Sequence, residues 1–221
     1  LFSKFLGFID TDNKKKTTKV FDEIEKITNN FEELRKYNHI IENQLQKICY
    51  WNRKNSITDV KNPDSESFNT TFKNFMFITL YKVILYIGDK TKIYEISYDE
   101  YRLFIFIARQ YSEFKDIAEH ILALRKETER LLITRYLSEL VSKKESKLDD
   151  RFHQIFKYST ILTYNERNRY LRIDRANRDR ARSVTESFEK KLKENKIPYP
   201  LENGERGEYE EKLFDPKPLW E

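Results

Sequence analysis

Glycine is the residue this chain does without. Its 4 glycines are Gly7, Gly88, Gly204 and Gly207. Between Asp89 and Asn203 there is none, and no proline interrupts that span before Pro198. Glycine supplies the left-handed and close-approach backbone that phosphate loops, tight hairpins and nucleophile elbows require. A chain that omits it for so long is expected to consist of long helices with few places for catalytic loops. The expected fold class is therefore all-α: an elongated bundle of long amphipathic helices, with a coiled-coil-like N-terminal helix and an extended C-terminal arm.

The surface expected of such rods matches the composition. Hydrophobic residues make up 38% and charged residues 36% of the 221 positions, yet there are 16 Phe and 14 Tyr. Bulky seams on slender, heavily charged helices suit burial against other chains. The net charge of +5 permits an anionic partner without requiring one. A single cysteine, Cys49, excludes an internal disulfide and a cysteine-built zinc site, and Cys49 reads as a small packing residue. The apolar run from Phe75 to Ile87, broken by Thr79 and Lys82, falls short of the ~20 residues that span a bilayer, so no transmembrane segment is expected. The opening Leu1–Ile9 is too short for a signal-peptide core. The missing initiator Met fits a removed organellar presequence.

Four segments follow from the pattern: an apolar arm over 1–17, a helical core over 18–162, an Arg-rich helix over 163–196, and an extended Pro/aromatic arm over 197–221. Within the core, the helix 18–52 carries apolar residues in steps of three and four. Ile24, Phe31, Asn38 and Leu45 occupy one core position of a heptad, and Ile27, Leu34, Ile41 and Ile48 the other. This is a helix-pairing seam, and the polar Asn38 within it can fix register. A second helix is expected from Phe68 to Ile87, central in a core and closed by Gly88. Ser97 to Glu100 has the form of a capping box opening a helix to about Lys143. A shorter helix carries Leu148, Phe152, Ile155, Phe156 and Leu162. Thr163 to Glu166 reads as a second capping box.

On the helix that this box would open, Arg172, Arg175, Arg178 and Arg182 recur at three and four residues, with Arg169 at the edge of the same face. Guanidinium groups grip phosphate or carboxylate through two parallel bonds. This face is the candidate contact for RNA or for an acidic partner, including the chain's own acidic arm. In the C-terminal arm, Phe214, Pro216, Pro218, Leu219 and Trp220 are the anchors of a docking segment.

Catalytic signals are weak. His39, His120 and His153 form no His-Glu-x-x-His pair, and Asp150 with His153 is only a two-ligand fragment. No glycine-rich nucleotide loop exists. The chain is expected to be no enzyme, to hold no cofactor or metal, and to serve as a structural or accessory subunit among other protein subunits. Hetero-assembly is favoured over a homodimer. A mitochondrial complex (ribosome, respiratory chain or ATP synthase) is the expected setting. The competing readings are an RNA-binding protein using the Arg-rich helix, a homodimeric coiled-coil adaptor, and an enzyme on a helical fold.

Overall fold

The computed structural model describes residues 6–10, 16–27, 31–49, 73–106, 108–127, 153–201 and 206–221. The chain is not an elongated all-α bundle. Short and medium helices pack around one central helix, and a three-stranded antiparallel sheet lies against it. No helix among the described residues is long and apolar enough to cross a membrane.

The chain enters through a small hairpin, β1 (Ile9–Asp10) against β2 (Lys16–Thr17). Thr18 caps α1 (Lys19–Glu25), its hydroxyl accepting from the Phe21 N–H. The next helix, α2, spans Phe31–Gln46. The single helix expected over 18–52 is thus two helices, with Lys26 capping the end of the first. The periodicity continues through the join because both helices present apolar residues to the same core.

At the centre lies α3 (Met76–Thr91). Its Met76, Phe77, Ile78, Leu80, Tyr81, Val83, Ile84 and Ile87 are all buried, as expected of a helix apolar nearly all round. Gly88 does not close it. The helix runs on to Thr91 and ends at Lys92, whose left-handed backbone (φ 67) donates to the Gly88 carbonyl. Gly88 is needed for close approach instead, because a Cβ there would stand 2.2 Å from the Tyr94 ring.

After α3 come β3 (Glu95–Ser97) and α4 (Tyr98–Glu100), which passes into a π-helical turn at Tyr101–Ile105. The expected capping box is present: Ser97 Oγ accepts from the Glu100 N–H, and the Glu100 carboxylate accepts from the Ser97 N–H. The long helix expected beyond it is absent. The chain straightens at Gln110 (φ −141, ψ 150), makes a 3-10 turn at Tyr111–Glu113 and resumes as α5 (Phe114–Leu124). No breaker residue causes this. The buried Asn74 side chain donates to the Ala108 carbonyl and the Lys73 N–H donates to the Arg109 carbonyl, so tertiary bonds replace the helical ladder there. Leu148, Asp150 and Phe152 lie outside the described residues.

The largest correction concerns 163–196. Thr163 caps no helix. It sits in β4 (Leu162–Asn165), which pairs with β5 (Tyr170–Ile173), and β5 pairs in turn with β3. Leu171 and Ile173 point into the core while Tyr170 and Arg172 face solvent, the period-two alternation of a half-buried strand. The turn uses no glycine: Asn165 accepts from the Asn168 N–H, and Arg169 takes the left-handed conformation (φ 53). A 3-10 turn at Arg175–Asn177 leads into α6 (Arg178–Lys193).

The C-terminal arm is not extended throughout. Gly207 donates its N–H to Glu210 and α7 (Glu208–Leu213) forms, before the prolines end it. Two hydrophobic clusters result. The larger joins α2, α3, α5, the sheet and part of α6. The smaller gathers Phe75, Ile78, Tyr111 and Phe188 beneath Tyr209, Leu213 and Leu219 of the C-terminal segment.

Candidate interaction surfaces

The arginines expected on one helix face are distributed over a hairpin, a turn and a helix. Arg169 lies in the β4–β5 turn with its guanidinium 4.8 Å above the Tyr98 ring. Arg172 is on the solvent side of β5 and pairs with Asp174 at 2.8 Å. Arg175 is exposed in the 3-10 turn. Arg178 and Arg182 do share a face of α6, but both turn onto the end of α3. Arg178 lies 3.6 Å over the Tyr94 ring, and Arg182 grips Asp89 through two bonds of 2.5 and 3.0 Å. Those bonds hold the Asp89 carboxyl below its ordinary range. Arg180 donates to Thr160 Oγ1 at 2.8 Å. The hairpin breaks the helical phase between Arg172 and Arg178, so the predicted row does not exist as one face.

The seam of 18–52 divides at Ile40. Every residue from Ile40 to Cys49 is buried, whereas Glu32, Leu34, Arg35, Lys36, Asn38 and His39 are exposed. Ile41, Leu45 and Ile48 therefore fill the chain's own core, and Ile24 packs against it. Ile27 follows α1, half-buried, and Phe31 opens α2. Leu34 is 48% exposed, with Asn38 one turn further on. The N-terminal two turns of α2 lie at the surface, with Tyr37 packed on the core and Lys36 paired with Glu23 of α1 at 2.9 Å.

The buried half of α2 carries polar groups that the sequence pattern did not reveal. Asn43 donates to the Pro216 carbonyl, Gln44 to those of Leu213 and Leu6, and Lys47 to those of Lys212 and Asp215, at 2.5–3.2 Å. These carbonyls, that of Leu6 apart, lie at and just past the C-terminal end of α7, where a cation also meets the negative end of the helix dipole. Burial pulls the Lys47 ammonium down to about 7, with Asp215 opposing. The available signal was the spacing: positions 43, 44 and 47 share one helix face. Gly7 makes room for the same segment, since a Cβ on it would stand 2.2 Å from the Leu213 carbonyl oxygen.

On the other side of α2, buried Glu42 accepts from Tyr81 Oη, Ser159 Oγ at 3.0 Å and the Thr160 N–H at 2.7 Å. This ties α2 to α3 and to the 3-10 turn at His153–Tyr158. Of the docking-arm residues, Phe214 lies under the Arg206 guanidinium, the Pro216 carbonyl meets Asn43, Pro218 is half-buried, Leu219 is buried and Trp220 rests edge-on against Phe188 at 6.2 Å. All of these contacts are with the chain's own body.

A depression of about 360 Å³ lies on the solvent face of the sheet, lined by Ile93, Glu95, Asp99, Arg125, Arg169 and Tyr170 among others. Its mixed charges are largely committed, because Arg125 is clamped to Glu100. His39 and His120 are exposed, the latter stacked on Phe104, and Cys49 is buried. Among the described residues no three His, Cys, Asp or Glu side chains gather as metal ligands. No family model matches the chain, and no curated protein matches it.

Proposed function

We propose that this chain is a non-catalytic structural or accessory subunit of a larger assembly, contacting neighbouring protein subunits through the exposed face of the N-terminal half of α2. The observation that carries this reading is the change of surroundings at Ile40. One half of the helix is enclosed by the chain itself, while the other half packs on the core through Tyr37 and leaves Leu34 48% exposed. An apolar side chain on a preorganised helix loses little entropy on docking, which favours its use as a contact. A mitochondrial setting belongs to the same proposal and rests on composition alone; imaging of the tagged protein tests it.

The experiment is affinity purification of the tagged chain beside its Leu34→Glu variant, with quantitative mass spectrometry. Loss of a specific set of co-purifying subunits from the variant, with unchanged melting temperature, is the expected result. Identical partner sets would refute the role of α2.

A second reading, RNA contact, is favoured by Arg167 and Arg175. Both are exposed on the hairpin side of the molecule, and neither has an ion-pair partner among the described residues. It predicts affinity for RNA that falls with salt and is weakened by Arg167→Glu plus Arg175→Glu.

A further inference from the structure

A second depression, of about 310 Å³, lies where the end of α6 meets the C-terminal segment. Its construction follows from the helix terminus. Asn195 takes the left-handed conformation (φ 55), and the Lys196 N–H returns to the Lys191 carbonyl at 2.9 Å while the Asn195 N–H reaches that of Leu192. This is a Schellman closure, and it folds Lys196 back beside Lys191. From the opposite wall comes Lys212, whose backbone is fixed by the bond from Lys47 to its carbonyl. Among the described residues Lys191 and Lys212 have no ion-pair partner, and Lys196 pairs with the exposed Glu194. The aromatic wall is Trp220, half-buried, one edge held against Phe188. Glu208 and Glu221 also line the depression.

Three lysines and a tryptophan around one depression suit one ligand chemistry. A phosphate is held by clustered cations, and a planar base stacks on an aromatic ring. The two carboxylates would repel a bare anion but can accept from ribose hydroxyls. We propose that this depression binds a nucleotide unit, its phosphate among Lys191, Lys196 and Lys212 and its base on Trp220. The unit comes either from a free nucleotide or from a single RNA strand. The inference does not depend on α2 and stands or falls separately from the subunit reading.

The test uses the full chain carrying Trp51→Phe, so that Trp220 is the sole tryptophan. Its fluorescence is titrated with UMP, with an eight-residue oligouridylate and with inorganic phosphate. Saturable quenching by UMP or the oligomer is expected, and Lys191→Ala plus Lys212→Ala should weaken it about tenfold, with affinity falling as salt rises. Lys191→Arg should keep most of the binding that Lys191→Ala loses, which separates lost charge from lost fold. Equal affinity for UMP and the oligomer identifies a free nucleotide; an oligomer bound more than tenfold tighter identifies a strand. Absence of saturable quenching overturns the proposal. So does indifference to the lysine substitutions, or inorganic phosphate matching UMP in affinity.

Discussion

Arg125 lays its guanidinium against the Glu100 carboxylate through two bonds of 2.7 Å, and its Nη2 also reaches the Glu95 carbonyl at 2.9 Å. Glu100 in turn accepts from the Ser97 N–H at 2.7 Å. The Glu95 carbonyl and Ser97 N–H lie on β3, whose neighbour in the sheet is β5. An exposed sheet edge invites pairing with another chain, and here one ion pair satisfies two of its polar groups.

Arg125→Ala should therefore do two things. It should leave the buried Glu100 without its cation, costing about 2–4 kcal/mol in urea unfolding. It should also free the β3 edge, so light scattering should report self-association that the parent chain does not show at the same concentration.

Lys47 predicts a pH dependence. Its folded-state value of about 7 lies below the ordinary 10.5. Between those values the unfolded chain binds more protons than the folded chain, so stability should rise as pH increases from 7 to 10.5. Below 7 both states hold the proton and this contribution is flat, with the cost of burying the charge fully present. Lys47→Met should flatten the rise, which is expected to amount to a few kcal/mol. Urea denaturation at pH 6, 7.5 and 9 checks it.

Glu42 and Tyr81 form part of a single buried network, so their substitutions should not add. Tyr81→Phe removes one donor, and Glu42→Gln turns an acceptor into a donor facing the Thr160 N–H. Each should cost about 1–3 kcal/mol. The double variant should cost less than the sum of the two by more than about 0.5 kcal/mol. A thermodynamic cycle from chemical denaturation measures the difference, and strict additivity would contradict the network.

Gly88→Ala tests close approach within α3. The added methyl meets the Tyr94 ring, and overpacking of this kind costs about 1–3 kcal/mol. In a Tyr94→Ala background the same change should become neutral or stabilising, since alanine is the better helix former. Thermal melts of the four proteins decide it.

What the sequence disclosed, and what it hid, follows from the range of the forces involved. The all-round apolar α3 and the Ser97–Glu100 box were legible because each is set by neighbours within a few residues. The β4–β5 hairpin was not. Thr163 to Glu166 imitates a capping box, and the turn is made by Asn165 and Arg169 without the glycine that would have announced it. The interruption near Gln110 depends on Asn74, 34 positions away from its acceptor at Ala108, and no local pattern could reveal it. Among the site residues, Leu34 and Trp220 were named from spacing and anchoring character. Asn43, Gln44 and Lys47 were passed over, because polar residues on a helix are ordinarily assigned to water.

The placement of Tyr209, Leu213 and Leu219 sets an order of events at the ribosome. Phe75 and Phe188 will have emerged well before the residues that roof them, so the nascent chain displays an unsealed aromatic pit until residue 219 is free to move. Closure of that pit waits on the segment around Leu219, and any chaperone engaged there would be displaced when that segment docks.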